Sequence, residues 1–168
     1  PIEVSEIPDK NLNVIEQISD LARQKAEAAV KELKPLESGD ILVLAADTVV
    51  IFEGEILGKP ENRAQAVQML SRMSSSEHQV VTGFCLWDLG PDRFILGHEI
   101  STVRFRRLTK KEIIEYVDSG EPMDKAGAYG IQGLGRNLVV RLEGSYDNIV
   151  CLPIDKIGKV IQDNACFI

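Results

Sequence analysis

The first strong pattern along the chain is an amphipathic helix, predicted from Val14 to Leu33. Its apolar positions recur at helical spacing, and they are Val14, Ile18, Leu21, Ala22, Ala28 and Ala29. Lys25 falls on the same stripe. A lysine in that position ordinarily buries its aliphatic stem and extends its ammonium group to water. Lys25 is therefore kept as a candidate site residue beside that simpler interpretation.

A nearly continuous apolar run from Ile41 to Phe52 predicts a strand that is buried on both faces. Asp47 interrupts the run, and Thr48 follows it directly. An ionised carboxylate in a buried strand is strongly unfavourable unless it is paired, bound to a metal or open to a cleft. We therefore place both residues at the edge of a pocket. The alternative for Asp47 is a structural hydrogen bond with a neighbouring loop.

The remaining strand and helix signals follow one another in an irregular order. They are a hairpin turn at 53–55, a helix over 63–73 capped by Asn62, strands at 78–89 and 93–106, a helix over 109–117 with a Thr109–Glu112 capping box, a strand at 137–143 and a helix from Pro153. This order predicts an α/β or α+β sheet rather than a regular doubly wound one.

Residues 124–135, DKAGAYGIQGLG, contain four glycines and two ionisable groups. This composition is too polar and flexible for a core strand or a helix, so we interpret the stretch as a site loop. Asp124 and Lys125 form either a solvated ion pair or a ligand contact beside glycines. The amide of Gln132 has a donor beside an acceptor, which matches the edge of uracil or thymine. A plain loop residue is the alternative for Gln132.

Lys59 lies in the turn Gly58-Lys59-Pro60, which would hold its side chain in a defined direction. An ordinary surface lysine is the alternative. Hydrolysis of a phosphoanhydride needs lysines that offset phosphate charge, a metal that bridges phosphate oxygens and a carboxylate that orients or deprotonates water. The residues alone leave this reaction as one option among several. His78 and His98, the only 2 histidines, give weak support to a zinc site or a serine triad.

Composition narrows the function further. The 168 residues, 44% of them hydrophobic, are enough for one core and one domain. The net charge of -7 argues against a nucleic-acid partner. The sequence has neither an apolar run that could span a bilayer nor a signal peptide, so we expect a soluble, cytoplasmic protein without a membrane partner. Cys85, Cys151 and Cys166 are interpreted as reduced, structural thiols.

Four segments carry a resemblance to a known family, and they are ADTVV at 46–50, GEILGKP at 54–60, HQVVTG at 78–83 and GEPMDKAGAYGIQG at 120–133. Together they closely resemble the Maf family, also called septum-formation inhibitor proteins. The resemblance runs from Val4 to the C-terminus, as one Maf-like domain over residues 1–168. The family normally begins with a strand and a phosphate-binding Ser-x-Ser-Pro-Arg-Arg loop, a motif that this sequence does not contain. Ala45 and Cys151 stand where the family usually has glycine.

The resemblance implies an α/β fold with an elongated, mixed sheet of the inosine-triphosphatase-like type and two lobes around a nucleotide cleft. It implies a nucleoside triphosphate pyrophosphatase that uses a divalent metal, Mg²⁺ or Mn²⁺, and is commonly a homodimer. The Asp-Thr pair and the glycine-rich loop resemble the subgroup that acts on dTTP and UTP, with modified pyrimidine nucleotides as further candidates, rather than the subgroup linked to methylated GTP. The alternative is a nucleotide-binding regulator of septum formation with little turnover.

The resemblance also assigns roles to the residues identified above. It places Asp47, Lys59 and Lys25 in catalysis, Thr48, Gln132, Lys125 and Asp124 in substrate binding, and Asp47 and Asp9 at the metal. Asp47 matches the proton acceptor of the family, the three lysines match cleft lysines, and Thr48 and Gln132 match positions that set the choice of base. We expect the lysines, Asp47 and Gln132 to converge on one cleft, and the missing phosphate loop to weaken triphosphate binding.

Overall fold

The computed structural model describes residues 9, 11–33 and 41–164. Its elements, in chain order, are α1 (Val14–Leu33), β1 (Leu42–Phe52), β2 (Glu55–Leu57), α2 (Arg63–Met73), β3 (Glu77–Asp88), β4 (Arg93–Phe105), α3 (Lys110–Asp118), β5 (Val139–Glu143), α4 (Tyr146–Ile149) and α5 (Ile154–Asp163). Within these described residues the strands form a 5-stranded sheet in the order β2-β1-β3-β4-β5. β2 pairs antiparallel with β1, and β5 pairs antiparallel with β4. The predicted α/β class is confirmed.

The chain divides into two compact units. The first unit consists of the described residues within Pro1–Thr48, Thr82–Glu99 and Cys151–Ile168, and the second unit consists of Val49–Val81 and Ile100–Val150. Strands β1 and β3 contribute residues to both units, as does β4. The single domain expected over residues 1–168 stays a prediction. Within the described ranges, no helix is long and apolar enough to cross a membrane.

In the first unit, α1 packs through small and β-branched residues. Ala22, Ala26 and Val30 are buried with residues of β1 and β3. Gly83 of β3 allows the closest approach, because a Cβ atom there would lie 2.7 Å from the backbone carbonyl carbon of Ile18. The bounds of the helix are those predicted, but its buried face differs from the predicted apolar stripe. Ala26 and Val30 are buried although the prediction did not include them, and the predicted Ala28 and Ala29 are only half-buried.

The first half of β1 departs from the prediction of a strand buried on both faces. Leu42 and Leu44 are 38% and 41% exposed, whereas Val43 between them is 9% exposed. The strand therefore alternates at this point, with one side in solvent. The apolar run was misleading because a single exposed leucine is common on protein surfaces, and so an unbroken run does not by itself require two covered faces.

The core of the second unit is built by α2, α3 and the inner faces of the strands. Both helices begin at the predicted caps. Asn62 accepts a hydrogen bond from the Gln65 amide at 3.0 Å. Thr109 and Glu112 form the predicted reciprocal capping box, in which each side chain accepts a hydrogen bond from the other residue's backbone N–H. These local signals were sufficient to place both helices.

Residues 124–135 were predicted as a site loop too polar and flexible for a helix, and this prediction is wrong in part. The stretch, together with the residues on either side of it, folds into short 3-10 helices at Glu121–Asp124, Ala126–Ala128 and Gly133–Leu138. It also contributes Ala128, Tyr129 and Ile131 to the core of the second unit. The glycines explain the difference, because Gly127 (φ +68°) and Gly133 (φ +74°) adopt left-handed backbone conformations that let a short segment turn tightly and direct some of its side chains into the core.

The cysteines are not all alike. Cys85 is buried, and burial raises the pKa of its thiol to about 12, although the charge of Arg23 acts in the opposite direction. It fits the expected structural thiol, because a thiol that stays protonated is a poor nucleophile. Cys151 is exposed, which does not fit a core role. Cys166 lies outside the described residues.

Candidate active site

Two predicted site residues meet in the first unit. Lys25 projects from the same face of α1 as Ala22 and Ala26, both of which are fully buried. Its Nζ atom lies 2.5 Å from Oδ1 of Asp47, in the middle of β1. The lysine and aspartate side chains are 27% and 15% exposed. The carboxylate that interrupts the apolar strand is therefore paired with a cation on a helix, and among the described residues it makes no hydrogen bond to a loop.

The environment of this ion pair makes each charge depend on the other. A half-buried carboxylate has lost part of its hydration, and an ammonium at hydrogen-bond distance compensates for that loss. Both groups nevertheless keep some contact with solvent. A charged pair that is fixed by packing and still reaches solvent is suited to chemistry on a water molecule.

Thr48 is held beside Asp47 by a second hydroxyl. Its Oγ1 atom lies 2.8 Å from Oγ1 of Thr82, a fully buried residue of β3. Sequence reasoning missed Thr82 as a site residue, although it lies within the HQVVTG segment. The available signal was a hydroxyl in an otherwise apolar strand. Because the Thr48 hydroxyl is engaged in this bond, its rotamer is restricted at the edge of the candidate site.

Asp9 makes only local contacts within the part of the chain that the structure describes. Its exposed carboxylate accepts hydrogen bonds from the backbone N and the side-chain Nδ2 of Asn11, both at 2.9 Å. Among residues 9, 11–33 and 41–164, no group of three or more His, Cys, Asp or Glu side chains could hold a metal ion. The assignment of Asp47 and Asp9 to a metal stays a prediction.

The second unit brings together a separate set of charged residues. Asp124 and Lys125 form an ion pair at 2.6 Å, in which the aspartate side chain is 74% exposed and the lysine side chain 42% exposed. The hydrogen bond from Lys125 lowers the pKa of the Asp124 carboxyl, and the positive charge of Lys59 contributes to the same shift. The structure therefore places Lys59 near this ion pair, so that two cations and one carboxylate share a region of the second unit.

Glycines allow the loop to pack closely around this region. A Cβ atom on Gly127 would lie 2.9 Å from Cγ2 of Val50 in β1. A Cβ atom on Gly130 would lie 3.3 Å from Cε of Lys125, so the lysine stem passes directly over that glycine. The absence of a side chain at Gly130 thus leaves room for the Lys125 stem.

Gln132 lies on the same loop, between a buried residue and a residue with a left-handed backbone conformation. Ile131 is part of the core, and Gly133 has a positive φ of +74°. Gln132 itself is exposed. Its side-chain amide has no hydrogen-bond partner among the described residues. Donor and acceptor are both available to a ligand, as the sequence interpretation requires.

Sequence reasoning missed a network built around Glu121. Oε1 of this carboxylate accepts hydrogen bonds from the hydroxyl of Tyr116 at 2.9 Å and the amide of Gly135 at 3.0 Å. Oε2 accepts one from the amide of Leu134 at 2.9 Å. Tyr116 in turn accepts one from the amide of Gly130 at 3.2 Å. Burial raises the pKa of Glu121, but these hydrogen bonds outweigh it and hold the pKa below its usual value.

His78 lies beneath the glycine-rich loop and has the environment of a core histidine. It is almost fully buried, its Nε2 atom lies 2.7 Å from the hydroxyl of Tyr129, and its ring meets that of Phe105 edge-on. Burial lowers the pKa of His78 to about 4. The imidazole is therefore neutral near pH 7, in line with the structural interpretation.

The predicted residues thus fall into two groups. Lys25, Asp47 and Thr48 lie together in the first unit, whereas the second unit holds Lys59, Asp124, Lys125 and Gln132. The convergence of these residues on one cleft stays a prediction.

The sequence of the chain matches the family described as "Maf-like protein" over residues 1–164. A protein of Bdellovibrio bacteriovorus named dTTP/UTP pyrophosphatase is 47% identical over 162 residues, which are 96% of this chain and 84% of that protein. Proteins of the same name from Aquifex aeolicus and Caldicellulosiruptor bescii are 43% and 40% identical, over 85% and 96% of this chain and 72% and 81% of their own lengths.

Proposed function

The chain belongs to the Maf family, and on that premise we propose that it is a nucleoside triphosphate pyrophosphatase that hydrolyses dTTP and UTP to the monophosphate and pyrophosphate. dTTP and UTP are the substrates in the names of its relatives. The proposal adds modified pyrimidine nucleotides as further substrates. One observation carries the proposal. A strand carboxylate, Asp47, lies 2.5 Å from the ammonium group of Lys25 and keeps contact with solvent.

Asp47 accepts the proton of the attacking water in this proposal. A carboxylate that is partly desolvated and fixed by its neighbours is a suitable general base, and such a base contributes roughly 10² to 10⁴ in rate. Lys25 holds the carboxylate in one orientation, and its positive charge favours an attacking group that becomes anionic.

Lys59 and Lys125 provide positive charge for the triphosphate. The net charge of -7 means that the protein as a whole repels such an anion, so a local group of cations is needed. Asp124 supports this role because its carboxylate keeps the Lys125 ammonium in place before the substrate binds. The lysine ammonium group binds phosphate as a point charge, which does not require one fixed geometry.

The residues fit a divalent metal that binds together with the substrate. Magnesium is usually bound by one or two carboxylates together with substrate phosphates, so a cluster of three protein ligands is not required. Asp47 would be its carboxylate ligand, with Asp9 as the second candidate. When bound, the metal would offset negative charge on the phosphate oxygens.

Gln132 selects the base in this proposal. An amide has a donor and an acceptor side by side, and uracil and thymine present the complementary pair, whereas the corresponding edge of cytosine differs. Thr48, whose hydroxyl is restricted by Thr82, is the second residue assigned to base choice. The proposal also includes a homodimer in the cytoplasm, as the family resemblance implies.

The test is pyrophosphate release from a panel of dTTP, UTP, dCTP, CTP, ATP and GTP in the presence of Mg²⁺. We expect release from dTTP and UTP to exceed release from the other nucleotides. Binding of dTTP or UTP without release of pyrophosphate would contradict the proposal and favour a nucleotide-binding regulator. Manganese in place of magnesium, and a chelator in place of both, would identify the metal requirement.

A further inference from the structure

The conformation of the loop that carries Gln132 depends on one carboxylate. We propose that Glu121, together with Tyr116, is a positioning residue for base selection, because it fixes segment 130–135 and thereby the direction of the Gln132 amide. This inference rests on the proposed function, in which Gln132 contacts the base. Neither residue is proposed to touch the substrate.

The hydrogen bonds of Glu121 reach both ends of the segment. Its two oxygens accept hydrogen bonds from the backbone amides of Leu134 and Gly135 at 2.9 and 3.0 Å, on the C-terminal side of Gln132. On the N-terminal side, the amide of Gly130 donates to the Tyr116 hydroxyl, which itself donates to Glu121. Gln132 therefore lies between two anchors that share one carboxylate.

The anchors are rigid because they are attached to the core. Tyr116 of α3 is buried, and Ile131, next to Gln132, is buried in the same cluster. Gln132 and Leu134 point outward and are exposed. An exposed amide keeps a single orientation toward a ligand only if its backbone is held, and a displacement of about 1 Å is enough to weaken such recognition strongly.

Gly133 gives independent evidence that the carboxylate is fitted to this loop. A Cβ atom at Gly133 would lie 2.7 Å from Oε2 of Glu121, and its φ of +74° already disfavours other residues. The carboxylate therefore contacts the backbone immediately after Gln132. A side chain at position 133 would displace the carboxylate from this contact.

The chemistry of the network requires a carboxylate. Both oxygens of Glu121 accept a backbone N–H, and a carboxylate is an acceptor at both positions. Glutamine would keep one acceptor and turn an NH₂ group toward the other amide, so that a donor faces a donor. Glu121→Gln should therefore release one side of the segment while it preserves the size of the side chain.

The test measures discrimination between bases and not activity alone. The ratio of kcat/KM for UTP to that for CTP should fall about tenfold in Glu121→Gln, the effect of one lost hydrogen bond of ordinary strength. Tyr116→Phe, which keeps the ring in the core, should lower the same ratio and provides a second reading if Glu121→Gln unfolds. Glu112→Gln is the matched control, because Glu112 also accepts a backbone amide but lies at the start of α3.

A double-mutant cycle separates positioning from a general structural effect. If Glu121 acts through Gln132, the double variant of Glu121→Gln and Gln132→Ala should discriminate no worse than Gln132→Ala alone. A readout that is independent of activity is hydrogen exchange at the Leu134 and Gly135 amides. Exchange should be faster in Glu121→Gln than in the wild type and unchanged in Glu112→Gln.

The outcomes distinguish the inference from the function on which it rests. If the wild type prefers UTP, Gln132→Ala removes the preference and both Glu121→Gln and Tyr116→Phe retain it, the inference is wrong and the proposed function stands. Additive effects in the cycle would equally overturn it. If the wild type releases no pyrophosphate or shows no preference among bases, the proposed function fails, and base positioning fails with it.

Discussion

The backbone N–H of Gly127 donates a hydrogen bond to the carbonyl oxygen of Gly58 at 3.0 Å. This bond joins the turn that carries Lys59 to the loop that carries Lys125. The two lysines come from distant parts of the sequence, and their relative position depends on a backbone contact between two glycines. Gly127 is thus placed to influence the candidate phosphate-binding residues without touching a ligand.

Replacing Gly127 tests how tightly this contact is fitted. Gly127→Ala should destabilise the fold by about 2 to 4 kcal/mol, because it combines the strain of a left-handed residue with a methyl group that would lie 2.9 Å from Val50. Chemical denaturation measures the loss. The control is Gly54→Ala, which has a similar φ of +82° but no atom within 4 Å of the added Cβ. Equal losses in both variants would contradict the fitted contact.

Acidification should destabilise the protein through His78. Because burial lowers its pKa from 6.5 to about 4, the unfolded state binds more protons than the folded state between these values, and stability must fall as the pH falls through that window. The full loss is about 3 kcal/mol. Thermal unfolding of the wild type and His78→Gln between pH 7 and pH 4.5 measures it.

The His78→Gln variant should show a flatter dependence on pH in that range. His98→Gln is the control, because it removes an exposed imidazole and keeps His78 in place. Carboxylates with lowered pKa values, such as Glu112 at about 2, lose their contribution only at lower pH and do not obscure this window. A slope in His78→Gln equal to that of the wild type would contradict the assignment.

The lysines of the second unit should matter for substrate binding. Lys59→Met and Lys125→Met each remove one positive charge and keep most of the apolar stem. Each should lower kcat/KM for dTTP roughly 10- to 100-fold, the effect of a lost charge-assisted hydrogen bond. Lys111→Met is the control, since Lys111 is 83% exposed on α3 and pairs with Glu115. If steady-state kinetics show no change in kcat/KM for either variant, the two lysines do not belong to the substrate-binding site.

Part of the structure could be predicted from the sequence because its signals are local. The bounds of α1 followed from helical periodicity, and Asn62 and the Thr109–Glu112 box marked the starts of α2 and α3. Asp47 and Lys25 were each identified as charges in apolar contexts. Their pairing across 22 residues depends on how α1 packs against β1, which no local pattern contains.

The glycine-rich segment could not be predicted in the same way. Its burial depends on the left-handed conformations of Gly127 and Gly133, and its composition alone indicated an open loop. Glu121 was missed because two of its three partners are backbone amides that lie 13 and 14 residues away. Backbone donors exist at almost every position, so the sequence does not show which of them a carboxylate will meet.

The central claim is that Asp47 performs chemistry and is not a structural residue. Asp47→Asn keeps the shape of the side chain and removes its charge, while Lys25, which is 27% exposed, stays within reach of water. The direct measurement is pyrophosphate release from dTTP and thermal unfolding of the same Asp47→Asn sample, beside the wild type. We predict a folded protein with little change in Tm and a turnover reduced by roughly 10² to 10⁴. A folded variant with full turnover would exclude Asp47 from the mechanism, and an unfolded one would show that the carboxylate serves the structure.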